Sequence, residues 1–306
     1  MFTVPVIWLL HWLEYTTEDP TKRSVSMQQR SILACLAHPD DEAFGSGGTL
    51  ARYAADGAHV ALVCATRGEV GEISDPALAT VETLATVREG ELRCAADALG
   101  IRELIFLDYR DSGMIGTPEN DDERAFIRVD AAEVVPRLVG MIRRIKPQVV
   151  LTFDPQGGYG HPDHIAIHTH TVAAVKAAGD AAQFPEEGEP WQSSRLFYVV
   201  ISRGTFLRMR DRMKEAGLDT TRFDQFEESG VGWPDENIDA TIDVSATVDA
   251  KWRSLQCHAT QFGKDNPFQQ LPEAVMKQLF SREHFALAWP ERASRQSWSD
   301  LFEGLE

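Results

Sequence analysis

Positive charge is in short supply in this chain: 30 Lys and Arg stand against 47 Asp and Glu, a net charge of −17 over 306 residues. Nucleic acid and anionic membrane both need a basic face to neutralise phosphate, so neither is an expected partner. Cysteine is scarce as well, with four residues at 35, 64, 94 and 257 and no Cys-x-x-Cys pair. The four are expected to be buried reduced thiols, which points to a reducing, cytoplasmic setting. Long apolar runs are missing. The strongest, residues 4–13, is too short to span a bilayer, and it lacks the basic flank and small-residue cleavage site of a leader. Residues 14–29 are polar and turn-rich, and Met27 lies just before the first convincing strand. Residues 1–27 are therefore expected to be a non-catalytic N-terminal extension, or the product of an upstream start codon.

From residue 31 onward, strand-like runs alternate with helical periodicity. Strands are expected at 32–37, 60–66, 103–107, 148–153 and 196–201, and helices at 47–56, 81–99, 131–145 and 163–178. This alternation implies parallel pairing through right-handed crossovers. The expected fold is a Rossmann-like, mainly parallel sheet of order 3-2-1-4-5 flanked by helices, with a smaller C-terminal α+β region. A Pro-, Glu- and Gly-rich stretch at 183–194 marks the boundary between a core at 28–182 and a region at 183–306 that completes the pocket. Long loops at 68–80 and 108–128 leave the same sheet edge and are expected to recognise substrate.

Two polar segments follow two of these strands: His38-Pro39-Asp40-Asp41-Glu42 and His161-Pro162-Asp163-His164. In a 3-2-1-4-5 sheet, strands 1 and 4 are neighbours at the topological switch point, where ligands bind beyond the carboxyl ends. Segments more than a hundred positions apart are thereby expected to form one site. Imidazoles and carboxylates clustered there suit a catalytic divalent metal, which takes three protein ligands and keeps one position open. We take His38, Asp41 and His164 as the ligands. Asp40 is then free to accept a proton from the attacking water, and a protonated His161 to stabilise the oxyanion. His168, one helical turn beyond His164, is read as a supporting partner, and His59, His258 and His284 as structural or surface residues. Gly45-Ser46-Gly47-Gly48 fails the dinucleotide fingerprint, because Leu50 takes the place of its third glycine. Those glycines are expected to allow close backbone approach beside the metal loop, with the helix N-terminus lending positive potential.

The two segments together resemble the zinc-dependent de-N-acetylases of the LmbE-like/PIG-L family. The resemblance implies zinc on His38, Asp41 and His164, with Fe2+ as an alternative in cells, Asp40 as base, and His161 assisting the transition state. Further stretches, Thr66-Arg67-Gly68-Glu69, Tyr109-Arg110-Asp111-Ser112-Gly113-Met114, Gly158-Tyr159-Gly160 and Cys257-His258-Ala259-Thr260-Gln261, are similar to the branch acting on N-acetylglucosaminyl-inositol and related thiol precursors. It implies substrate contacts from Arg67, Asp111 and Tyr159. The expected activity is removal of the N-acetyl group from an inositol- or malate-linked N-acetylglucosaminyl conjugate, with a homo-oligomer compatible with that role. An amidase of thiol S-conjugates would use the same site. An Fe(II) oxygenase built on His38, Asp40 and His164, or a non-catalytic binding module, are the readings from other classes.

Overall fold

The computed structural model describes residues 29–228, 230–263, 266–291, 294 and 296–305. The extension assigned to residues 1–27 lies outside the described residues. Five strands, β1 (Ser31–Leu36), β2 (His59–Cys64), β3 (Glu103–Phe106), β4 (Val149–Phe153) and β5 (Arg195–Val200), pair in parallel. Two more, β6 (Ala240–Asp243) and β7 (Arg282–Trp289), join the same sheet antiparallel, giving the order β3-β2-β1-β4-β5-β7-β6. The expected 3-2-1-4-5 arrangement is present. The C-terminal α+β region carries β6 and β7, which continue this sheet.

The helices used below are α1 (Asp41–Gly45), α2 (Gly47–Ala55), α3 (Leu84–Leu99), α4 (Ala131–Ile145), α5 (Pro162–Ala178), α6 (Arg203–Glu215), α7 (Thr221–Glu228), α8 (Val248–Cys257) and α9 (Glu273–Leu279). Strand β1 shows why both faces of the sheet must be covered. Ile32, Ala34 and Leu36 point into one apolar core with α2 and α3, while Leu33, Cys35 and Ala37 point into another with α4 and α5. Side chains alternate at period two, so a strand apolar at every position is buried on both sides. A third cluster joins α6, α8 and α9 through Met209, Met213, Trp252, Leu255 and Met276, and it takes in Ala43 of α1. Among the described residues no helix is long and apolar enough to cross a membrane.

The glycines after β1 serve packing. A Cβ on Gly45 would come within 2.6 Å of Val199 on β5, and one on Gly48 within 2.6 Å of Val244. The amides that open α2 do not face a ligand. Gly48 N and Thr49 N donate to the two carboxylate oxygens of Glu283 on β7, at 2.9 and 2.7 Å. Lys251 of α8 completes this buried unit, 2.6 Å from Glu283 Oε1 and 2.8 Å from the Phe44 carbonyl oxygen. Removing one member of a buried ion pair leaves the other uncompensated. Lys251→Met is therefore expected to lower unfolding free energy by about 3 kcal/mol, read from the shift in urea midpoint at unchanged slope. An unchanged midpoint would show that the two backbone amides alone satisfy Glu283.

The cysteine expectation needs correcting for two of the four residues. Cys94 on α3 and Cys257 at the end of α8 form a disulfide, with a Cα–Cα distance of 5.8 Å. A pairing across 163 positions arises only from packing α3 against α8, which no local spacing signals. Cys35 and Cys64 are free and buried, and burial pushes the Cys35 thiol up to about 12.

Candidate active site

Both His-Pro-Asp segments leave the carboxyl ends of adjacent parallel strands, β1 and β4. After β1 the chain turns sharply. The Asp41 carboxylate holds the turn, with Oδ2 accepting from Ala37 N at 3.2 Å and His38 N at 2.7 Å. Asp40 has φ 120°, a region that L-residues with side chains avoid, and such strain concentrates at functional sites. After β4, Asp154 caps the glycine loop through Gln156 N and Gly158 N. His161 then serves as N-cap of α5, its Nδ1 accepting from Asp163 N at 3.2 Å, and Pro162 fills the first helical position. His161 and His164 therefore both stand at the start of one helix, aimed back at β1.

The side chains converge. His38 Nδ1 lies 3.2 Å from His164 Nε2, and Asp41 Oδ1 lies 3.3 Å from the same His164 nitrogen. Asp41 Oδ2 is 3.8 Å from His38 Nδ1. The outer nitrogens already have acceptors: His38 Nε2 is 3.1 Å from Asp163 Oδ2, and His164 Nδ1 is 3.1 Å from the Gly157 carbonyl oxygen. Those partners place the ring protons on the outside, so the inner nitrogens present lone pairs to each other and to a carboxylate. Facing lone pairs repel unless a cation sits between them. Two ligands about 2.0–2.1 Å from a tetrahedral ion are roughly 3.3 Å apart, the spacing of two of the three pairs here, the third being Asp41 Oδ2 to His38 Nδ1 at 3.8 Å. The donor set thus fits a divalent metal. The His164 ring is further fixed by stacking on Phe153, with centroids 3.9 Å apart. His168 supports that arrangement from below, its Nδ1 2.8 Å from the Phe153 carbonyl oxygen. A second grouping, His38, His161 and His164, also gathers ring nitrogens, but His161 Nδ1 is engaged by the helix N-terminus.

Burial and the neighbouring Asp41 charge push Asp40 up to about 8, close to neutrality where a general base works well. His161 moves the other way. Burial and then the adjacent His38 and His164 hold it at about 3. With Nδ1 accepting from Asp163 N, the expectation of a protonated His161 is not met. The ring is neutral, with Nδ1 accepting and its proton on Nε2, and a neutral Nε2–H still donates to a developing oxyanion.

The remaining expected residues are placed differently from one another. Tyr159, 52% exposed on its glycine loop, stands edge-on to His164 and His161 with centroids at 5.2 and 6.3 Å. Asp111 is buried, its Oδ1 3.6 Å from His38 Nε2 and accepting from Gly113 N. Arg67 is engaged in ion pairs with Glu89 at 2.7 Å and Asp108 at 2.6 Å, stacked over Phe106.

Sequence reasoning missed several residues beside Asp40. Arg88 of α3 is buried, within electrostatic reach of Asp40 and Asp111, and its Nη atoms hold the Gly68 and Glu72 carbonyls. Its Nε has no partner among the described residues, and neither does Oε2 of the nearby Glu69. His258, set aside earlier as structural or surface, is fully buried with Nε2 2.7 Å from Glu42 Oε1. Gln261 Nε2 donates to Asp40 Oδ2 at 2.7 Å. The advance signals for this group were the quoted stretches from Thr66 to Glu69 and from Cys257 to Gln261.

Known proteins match this geometry. The family model described as PIG-L, GlcNAc-PI de-N-acetylase, matches residues 33–175, which hold both segments. A 1D-myo-inositol 2-acetamido-2-deoxy-α-D-glucopyranoside deacetylase from Geodermatophilus obscurus is 38% identical over 90% of this chain and 98% of its own length. One of the same description from Thermomonospora curvata is 39% identical over 92% and 99%. Among solved structures, N,N'-diacetylchitobiose deacetylase from Pyrococcus horikoshii shares the fold, with TM-score 0.60 and 20% identity over 85% of this chain and 84% of that one. With identity of this extent along nearly the whole of its relatives, and both segments joined in one donor set, the chain belongs to the PIG-L de-N-acetylase family.

Proposed function

We propose that this protein hydrolyses the acetamide of 1D-myo-inositol 2-acetamido-2-deoxy-α-D-glucopyranoside, releasing acetate and the free amino sugar, with zinc held by His38, Asp41 and His164. The observation that carries the reading is the inward-facing pair of histidine ring nitrogens 3.2 Å apart, flanked by Asp41, whose charge also acts on the Asp40 carboxylate. Bound zinc would supply Lewis acidity, polarising the amide carbonyl and lowering the pKa of water toward about 7. Asp40 takes the proton of the attacking water. His161 Nε2–H donates to the carbonyl oxygen as charge develops there, and the proton held by Asp40 passes to the departing amine. Tyr159 at the rim and Arg88, Glu69 and Asp111 on the loop side offer polar groups to the sugar hydroxyls, while Arg67 steadies the loop that carries them. Iron(II) is the alternative metal in cells. A homo-oligomeric state remains part of this reading, whereas the cytoplasmic setting was expected from reduced cysteines and loses that support to the Cys94–Cys257 bridge.

Relatives of nearly full length share the substrate named in their descriptions, which supports the inositol conjugate over a thiol S-conjugate. The test is release of primary amine from N-acetylglucosaminyl-inositol, N-acetylglucosaminyl-malate, free N-acetylglucosamine and a thiol S-conjugate amide. The inositol conjugate is expected to have the highest kcat/KM. Cleavage of the S-conjugate alone would transfer the assignment to an amidase.

A further inference from the structure

The base of this reaction sits where a backbone is difficult to hold. Asp40, at φ 120°, lies between the end of β1 and the first turn of α1, and neither element's regular hydrogen bonding fixes its side chain. Its supports come from elsewhere. Asp40 N donates to Glu42 Oε2 at 3.1 Å, and Asp40 Oδ2 accepts from Gln261 Nε2 at 2.7 Å. Glu42 is 1% exposed, and its other oxygen, Oε1, meets His258 Nε2 at 2.7 Å. His258 is 0% exposed. A buried carboxylate bonded through one oxygen to an imidazole and through the other to a strained peptide N–H transmits the position of the first to the second.

His258 and Gln261 belong to one turn after α8, and that turn is braced on several sides. Cys257 is bonded to Cys94 of α3. Thr260 N and Oγ1 donate to the two oxygens of Glu91 on α3, at 2.8 and 2.7 Å. Ser74, on the loop after β2, donates through N to the Thr260 carbonyl at 2.9 Å and through Oγ to the Ala259 carbonyl at 2.8 Å. So much bracing exceeds what a surface turn needs, and the two side chains it presents both lead to Asp40.

We propose that His258 is a positioning residue: through Glu42 it holds the Asp40 peptide in its left-handed conformation, while Gln261 from the same turn sets the carboxylate. The proposal rests on Asp40 being the base. It predicts that His258 affects turnover and leaves substrate and metal binding unchanged, since the turn approaches Asp40 from the side of Glu42. His258→Leu in the full-length, metal-loaded protein is expected to lower kcat by about 10²-fold, the scale of a misplacement near 1 Å. KM and bound metal per chain should stay within about twofold of wild type, a margin well inside that loss. His258→Gln, whose amide N–H can replace Nε2, should recover most of the rate. If the leucine variant fails to fold, His258→Asn, too short to reach Glu42, is expected to show the same fall in kcat.

A double-mutant cycle separates this from general damage. In an Asp40→Asn background, His258→Leu (or Asn) should cost nothing further, because the group it positions is gone. Multiplying losses, a loss of metal, or a wild-type kcat in a folded Leu or Asn variant would each overturn the proposal. Wild-type turnover by Asp40→Asn alone would instead overturn the reading of Asp40, so the two failures are distinguishable.

Discussion

Asp40→Asn keeps its full complement of metal and loses about 10³-fold in kcat. The metal is retained because none of the inward-facing donor atoms belongs to Asp40. They come from His38, Asp41 and His164. The shape is retained because an asparagine oxygen can still accept from Gln261 Nε2, as Asp40 Oδ2 does. What disappears is the capacity to take a proton near neutral pH. The carboxyl, pushed up to about 8 by burial and by Asp41, is poised for that exchange, whereas an amide has no comparable basicity. A bound cation facing Asp40 would draw that value downward, so the acidic limb of the pH–rate profile is expected below 8 and should vanish in the variant. Metal analysis and amine release on the same preparation check the prediction. An Asn variant that turns over normally would mean that another group takes the proton.

His164→Ala produces the other large effect, a protein that folds but emerges from purification without most of its metal and without activity. Three ligands are the minimum for a catalytic site of this kind, and removing one of the three proposed leaves two. His164 is also the shared member of the set, within 3.3 Å of both other donors. Asp163→Asn is the informative comparison. Asp163 touches no inward-facing atom; it accepts at Oδ2 from Ser112 N and lies 3.1 Å from His38 Nε2. Partners of this kind orient a ligand and typically contribute about 10–100-fold in metal affinity. The alanine variant should therefore stay inactive at saturating zinc, whereas Asp163→Asn should regain activity as zinc is raised. Equal behaviour of the two would remove the distinction between ligand and orienting residue.

The parts of this molecule legible in the sequence are those written in local periodicity and in fixed spacing. Strands apolar at every position, helices of ten or more residues between them, and two prolines following two histidines sufficed to place His38 and His161 at neighbouring strand ends. The parts that were not legible depend on contacts between distant elements. His258 carries no sign of its partner, because Glu42 lies 216 positions away. In the sequence Arg67 is the expected substrate contact, and nothing singles out Arg88. Only the packing of α3 shows that Arg88 turns inward under the loop, while Arg67 is held by Glu89 and Asp108. Strand β6 escaped detection because it is only four residues long, and β7 because it opens on Arg282, Glu283 and His284 rather than on an apolar run.

The bridge between Cys94 and Cys257 divides the chain into a ring and two free arms. The ring carries Asp111, Tyr159, His161, Asp163 and His164. The leading arm carries His38, Asp40, Asp41, Glu42 and Arg88. Closing a loop of this size removes about 5 kcal/mol of chain entropy from the unfolded ensemble in the loop-closure model. That gain does nothing to bring Asp40 to the histidines of the second segment, since those lie on different sides of the closure. The site becomes complete only when the leading arm inserts β1 between β2, which it carries itself, and β4, which the ring supplies. Catalytic competence in this protein is therefore a report on the docking of an open arm against a closed ring.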